Sequence, residues 1–78
     1  MSTRLRDIPR FGTAVVSRYD YDANNNLIYA GYADTGTATS ASGWYVEKYT
    51  YDANGNVTTI QTAPWPSIWD NRTSLTYT

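Results

Sequence analysis

The chain has 78 residues and a formal net charge of −1, and it contains neither cysteine nor histidine. A chain this short forms one domain that buries only about 60% of its unfolded surface, and without disulfides or a histidine or cysteine metal site we expect oligomerisation to supply the missing stability. The near-neutral charge and the absence of any apolar run of about 18 residues exclude a nucleic-acid-binding surface and a membrane-spanning helix.

Residues 1–12 show neither helical nor strand periodicity, and we predict an extended arm that precedes a small β domain over residues 13–78. The arm contains three basic residues and one acidic residue, whereas the rest of the chain contains three basic and six acidic residues. The arm therefore carries a charge of +2 and the domain a charge of −3. We expect the arm to lie on a neighbouring copy. There Arg4, Arg6 and Arg10 would pair with carboxylates, and Ile8 and Phe11 would make apolar contacts.

Residues 13–22 are rich in β-branched and aromatic residues, which predicts a strand. The face expected to point into the core comprises Thr13, Val15, Ser17, Tyr19 and Tyr21. Residues 23–26 then turn the chain, with Asn25 expected in the left-handed conformation of a type I turn followed by a bulge. The return strand is predicted over residues 27–33.

A small, polar stretch over residues 34–42 is predicted to be the loop that joins this hairpin to a second one. The second hairpin is predicted to have strands over residues 43–52 and 57–63, with a turn at 53–56. In that turn Gly55 takes the position of Asn25, which glycine fills without steric cost.

Both faces of the strand over residues 43–52 carry large apolar side chains. Trp44 and Val46 lie on one side, and the other side carries Tyr45, Tyr49 and Tyr51. Neither side is typical of a solvated face. We therefore expect the sheet to be covered twice, once by its own chain and once by a partner.

Pro64 and Pro66 are expected to end the sheet, because proline cannot donate a ladder hydrogen bond. A short helical turn is predicted over residues 67–71, followed by a last strand over residues 74–77. Trp65 and Trp69 lie outside the hairpins, and we predict that both contact a partner. Most of the other aromatic residues fall on one strand face, which favours core and interface roles over ligand stacking.

The two predicted turns share the sequence Asp-Ala-Asn-x-Asn, which places oxygen-bearing side chains at alternating positions as in the first half of a calcium loop. The second half is missing, because neither copy has the glycine required at the sixth position or the glutamate at the twelfth. Turn formation is the preferred interpretation, and we predict no metal or other cofactor.

Two pairs of carboxylates, Asp20 with Asp22 and Glu47 with Asp52, could be the acid and base of a glycosidase. A sheet of this size leaves little room for the cleft that such an enzyme needs. No serine lies in a recognisable nucleophile context, and the histidine and cysteine templates have no members. We therefore predict that the protein is not an enzyme.

The segment Tyr-Asp-Tyr-Asp-Ala-Asn-Asn-Asn-Leu at residues 19–27 recurs as Tyr-Thr-Tyr-Asp-Ala-Asn-Gly-Asn-Val at residues 49–57, with six of nine positions identical. The repeat resembles the motif of the YD-repeat (Rhs) family, whose β-hairpin repeats build long shell-forming proteins. The resemblance covers about ten residues in each copy. Two copies cannot build a shell, so the shell function does not carry over.

Residues 13–78 are more similar to small proteins encoded among the structural genes of tailed bacteriophages. The similar features are a tyrosine-rich hairpin, a Gly-Thr-Ala-Thr-Ser-Ala loop at 36–41, a Trp-x-Val-x-Lys strand at 44–48 and a Trp-Asp-Asn-Arg-x-Ser-Leu-Thr-Tyr segment at 69–77. This resemblance implies a role in the virion. The chain would be synthesised in the host cytoplasm and then incorporated into the particle.

The residues predict an all-β domain of two consecutive antiparallel hairpins in one twisted sheet, with a short helical turn and a C-terminal strand. The resemblance implies a non-enzymatic structural component of a phage particle, such as a joint or decoration at the capsid, neck or tail. Its partners would be copies of itself and other virion proteins, with no nucleic acid and no membrane. The alternative is a carbohydrate-binding module for attachment to a cell surface, whose mark would be exposed, coplanar aromatic rings that include Trp65 or Trp69.

Overall fold

A computed structural model describes residues 14–78 of the chain. Its antiparallel strands follow the order β1-β2-β3-β4, and β5 pairs with the beginning of β3. The strands are β1 Val15–Tyr21, β2 Leu27–Asp34, β3 Ser42–Tyr51, β4 Val57–Thr62 and β5 Ser67–Ile68, and a 3₁₀ helix follows at Trp69–Ser74. The predicted all-β fold of two consecutive antiparallel hairpins is confirmed.

Both hairpins are closed by the same turn. The backbone N–H of Asn25 donates to the carbonyl of Asp22 at 3.0 Å, and the N–H of Gly55 donates to the carbonyl of Asp52 at 3.1 Å. Asn25 and Gly55 have φ values of 66° and 84°, and the strand register shifts by one residue beside each turn. This confirms the predicted turn with a left-handed residue and a bulge.

The aspartates of the repeated motif hold these turns from inside. Oδ1 of Asp22 accepts the backbone N–H groups of Asn24 at 2.8 Å and Asn26 at 3.0 Å, and the equivalent bonds to Asp52 measure 2.9 and 3.0 Å. The N–H of Asn56 and its neighbours hold the pKa of the Asp52 carboxyl below its usual value. The contacts agree with the turn interpretation of the motif.

The core lies between the sheet and the 3₁₀ helix. Its buried residues are Ala33, Trp44, Val46, Ala63 and Trp69, against which Val16, Tyr29, Leu75 and Tyr77 pack. The centroids of the Trp44 and Trp69 rings are 6.0 Å apart. Arg72 of the helix forms an ion pair with Asp20 of β1, with Nε 3.0 Å from Oδ2. The helix is therefore fixed to the sheet by the contact of two tilted indoles and by one ion pair.

The core face predicted for β1 is wrong. Val15, Tyr19 and Tyr21 are 48%, 49% and 55% exposed, Ser17 is also exposed, and Thr13 precedes the described residues. Val16 instead packs against the core, on the side of β1 that pairs Asp20 with the helix. Apolar content alone favoured the tyrosines, but the position of the helix decides which side is covered.

The C-terminal segment differs from the predicted one in where its elements lie. The fifth strand is Ser67–Ile68 and pairs with Ser42 and Trp44, where a helical turn was expected, so the helix begins only at Trp69. Residues 75–78 form no regular strand, although the backbone of Thr78 exchanges hydrogen bonds of 3.0 and 3.2 Å with Thr62. The later start of the helix places the Trp69 indole over the core.

Gly31 of β2 provides a test of this packing. A Cβ on Gly31 would lie 2.5 Å from Cε3 of Trp69 and 3.2 Å from Cε3 of Trp44. Strand propensity alone predicts that Gly31→Ala stabilises the fold by roughly 0.5–1 kcal/mol. We expect it instead to lower the free energy of unfolding in urea by about 1–3 kcal/mol, because the indole must move. In a Trp69→Leu background the loss should nearly vanish, and an equal loss in both backgrounds would contradict the packing described above.

Gly55 provides a test of the turn, because the space around it is open and only its conformation is special. A Cβ in the left-handed region costs roughly 1–2 kcal/mol, which is least for asparagine. Gly55→Val should therefore lower the melting temperature clearly. Gly55→Asn should change it little, since Asn25 already holds this conformation in the first turn. Similar losses from the two substitutions would show that the left-handed residue lies elsewhere.

Candidate interaction surface

The second face of the sheet, opposite the 3₁₀ helix, is dominated by tyrosine. Strand register places Tyr32 beside Tyr45, and it places Ala30 between Tyr19 on β1 and Glu47 on β3. Because side chains two residues apart share a face, Tyr49 lies on the same side. We name this surface the tyrosine face, and it comprises Tyr19, Tyr32, Tyr45, Glu47 and Tyr49.

The tyrosine rings form a row across three strands. The ring centroids of Tyr19 and Tyr32 are 6.4 Å apart at an interplanar angle of 84°, and those of Tyr32 and Tyr45 are 6.2 Å apart at 30°. Ala30 is fully buried beside this row. The side chains around Ala30 therefore cover it completely.

Glu47 places a carboxylate among these rings. The Tyr49 hydroxyl donates to its Oε1 at 2.9 Å, and the Tyr45 hydroxyl donates to Oε2 at 3.3 Å. Within residues 14–78 the ion pair found is Arg72 with Asp20, so Glu47 has no cationic partner in that part of the chain. Two phenols orient the carboxylate and leave lone pairs for a further donor.

The charge of Glu47 affects the tyrosines around it. Burial, followed by the negative charge of Glu47, raises the pKa of Tyr32 to about 12. Burial, followed by the hydrogen bond to Glu47, also raises the pKa of Tyr49 above its usual value. Both phenols therefore stay protonated to a higher pH than an ordinary tyrosine does.

Exposed apolar side chains surround the tyrosine face. Besides Tyr19 of the face itself, those on its side of the sheet are Val15, Tyr21 and Ile60, with exposed fractions between 48% and 56%. Strand register places Ile60 directly beside Tyr49. Isolated apolar residues on a surface need no explanation, but a group concentrated on one sheet face is typical of an interaction site.

The structure separates the two tryptophans predicted to contact a partner. Trp65 is 47% exposed. Trp69 is only 6% exposed, and the guanidinium of Arg72 lies 4.6 Å from the centroid of its ring. A partner role for Trp69 is therefore wrong, because its indole is part of the core. The arm residues Arg4, Arg6, Ile8, Arg10 and Phe11 fall outside the described residues.

The sequence predicted a second covering of the sheet, but it named no residue of the tyrosine face as a site residue. The signal for this face was present in the strand over residues 43–52, where tyrosines occupy one side and Trp44 and Val46 the other. Glu47 was considered only as half of a catalytic pair with Asp52. The structure places Glu47 on the tyrosine face and Asp52 in the second turn, where the Asp52 carboxylate accepts hydrogen bonds from backbone N–H groups.

A shallow groove of about 420 Å³ lies at the C-terminal side of the fold. It is lined by Ser42, Pro64, Pro66, Ser67, Ile68, Asn71, Ser74, Leu75 and Thr76, none of which is ionisable. Among residues 14–78, no cluster of three acidic, histidine or cysteine side chains is placed to hold a metal ion. The same part of the chain has no helix long and apolar enough to cross a membrane.

Comparisons with protein-family models, with curated proteins and with solved structures gave no match to this chain. The surface itself is therefore the main guide to function.

The tyrosine face predicts a loss of stability at alkaline pH. Tyr32 has a pKa of about 12 in the folded protein and an ordinary value near 10 when unfolded. Its contribution should be complete below pH 10 and should decline as the pH rises towards 12, because the unfolded chain releases a proton that the folded chain retains. Free energies of unfolding measured across this range should decline less in Tyr32→Phe. The exposed Tyr21→Phe serves as the control, and an equal change in both variants would contradict the assignment.

Proposed function

We propose that this chain is a non-enzymatic structural protein of a bacteriophage particle. It acts as a joint or decoration at the capsid, neck or tail, and it binds copies of itself and other virion proteins. The observation that supports a binding role is the tyrosine face, with its rings, its oriented carboxylate and its exposed apolar border. The virion as the setting rests on the motif resemblance of residues 13–78 stated from the sequence.

The size of the core supports a partner as well. Trp44 and Val46 are the large side chains that the described fold buries completely, and three of the other buried residues are alanines. Full burial of a large apolar side chain contributes about 1.5–3 kcal/mol, so covering one that is half exposed contributes roughly half as much. A partner on the tyrosine face would cover several such side chains at once. Association therefore stabilises the fold in a way that this small core does not.

Charge supports contact between copies. The arm of residues 1–12 carries +2 and the remainder −3, so the arm of one copy is attracted to the body of another. Ordering the arm costs on the order of 1–2 kcal/mol per residue in backbone entropy. Contacts on a second surface are needed to offset that cost, and the exposed apolar groups of the sheet are suited to supply them.

Carbohydrate binding is the weaker alternative. A sugar-binding platform needs aromatic rings that are exposed and coplanar, and Trp69 cannot contribute because it is buried. Trp65 is exposed, but the rings on the tyrosine face meet edge to face or at a tilt. Their hydroxyls are also engaged with Glu47 in two cases. This arrangement favours a protein partner over a flat sugar ring.

Deletion of residues 1–10 tests the proposed function. The truncated chain should keep the circular dichroism of the folded sheet, because the core lies within the described residues. It should lose self-association in light scattering, and it should no longer co-sediment with particles when it is expressed together with its gene neighbours. The full-length variant Asp70→Asn, which removes an exposed carboxylate outside the arm, serves as the control. Full incorporation of the truncated chain would contradict the proposal.

A further inference from the structure

We infer that the tyrosine face is the docking surface for residues 1–12 of a second copy of this chain, and that an arginine of that segment pairs with Glu47. This inference rests on the proposed self-association and specifies the surface and the chemistry through which it occurs.

The first argument is charge complementarity. Glu47 lies on an apolar face and has no cationic partner among residues 14–78. The basic residues of that part of the chain lie elsewhere, since Arg72 pairs with Asp20 and the Lys48 ammonium lies 5.7 Å from the Tyr77 ring on the core side. Arg18 pairs with Gly31 in register and so lies on the core side of β1. The basic side chains that remain in the chain are Arg4, Arg6 and Arg10.

The second argument is the fit of a guanidinium to this surface. A guanidinium is planar, stacks on aromatic rings and donates parallel hydrogen bonds to a carboxylate. Glu47 supplies a carboxylate already held by two phenols. Tyr45 is only 9% exposed, so the ring of this row that an incoming guanidinium can contact is that of Tyr19, which is 49% exposed and meets Tyr32 edge to face. The exposed Tyr21 and Ile60 provide apolar contacts for side chains that flank the arginine.

The third argument concerns reach. The segment outside the described residues leads directly into β1, which is the edge strand of the sheet. Twelve residues in an extended conformation span about 40 Å at roughly 3.3 Å per residue. The longest dimension of the fold is 37 Å, so one arm is long enough to cross the face of a neighbouring copy.

The alternative of two tyrosine faces packed directly together is disfavoured by charge. A two-fold axis through the face would bring two Glu47 carboxylates into one interface without a cation between them. Like charges in such a contact repel strongly. An exchange of arms avoids this repulsion, because each carboxylate meets a basic segment and the two contacts close a symmetric dimer.

A charge-swap experiment on the full-length chain tests the inference. The face variant is Glu47→Arg, the arm variant replaces Arg4, Arg6 and Arg10 with glutamate, and Asp70→Asn is the control because it removes an exposed carboxylate elsewhere. The wild-type chain and the control should associate in light scattering. Each variant alone should associate about tenfold more weakly or worse, because the paired charges repel. An equimolar mixture of the two variants should recover association, since both contacts then join opposite charges.

Each other outcome overturns part of the inference. If the wild-type chain associates and both Glu47→Arg and Glu47→Gln associate equally well, the tyrosine face is not the docking surface, although the proposed assembly stands. If the mixture does not recover, the arm and the face do not meet between copies. If the wild-type chain is a monomer, the proposed self-association fails as well. Tryptophan fluorescence confirms that each variant is folded, and Glu47→Gln, which keeps the shape of the side chain, carries the test if Glu47→Arg does not fold.

Discussion

The packing of the Trp69 indole over Gly31 and against Trp44 determines how the rest of the molecule is arranged. The absence of a side chain at Gly31 lets the ring approach the strand backbone, where even a methyl group would collide with it. The helix that carries Trp69 is held by the ion pair of Arg72 with Asp20, and the Tyr77 hydroxyl donates to the Arg72 carbonyl at 2.7 Å. These contacts commit one face of the sheet to the core and place the tyrosine face on the opposite side.

Tyrosine is suited to a surface that is exposed to solvent in the free chain and that we propose to contact a partner after association. Its ring contributes a large apolar area to an interface, while its hydroxyl keeps a hydrogen bond when the ring is exposed. On this sheet Tyr45 and Tyr49 both direct their hydroxyls to Glu47. A face of leucine or valine would bind a partner as readily, but in the free chain it would favour nonspecific aggregation.

The hairpins could be predicted from the sequence because their determinants are local. Each turn is closed by an aspartate that accepts N–H groups two and four residues later, and such signals need no knowledge of distant residues. The core face of β1 could not be predicted in this way. It depends on where Trp69 crosses the sheet, about fifty residues further along the chain than Tyr19. The same long-range contact explains why Trp69 was mistaken for a partner residue.

Glu47 gives the tyrosine face a preference among partners that apolar contact alone would not provide. Burial of a carboxylate against an apolar surface, with no cation beside it, costs several kcal/mol, on the order of the whole gain from covering a few half-exposed side chains. A partner that supplies a guanidinium avoids this cost and keeps the apolar contacts. The carboxylate therefore weakens association with a purely apolar surface more than it strengthens association with a surface that supplies a guanidinium. Selectivity of this kind would serve the self-association that we propose, because it disfavours contact with surfaces that lack a guanidinium.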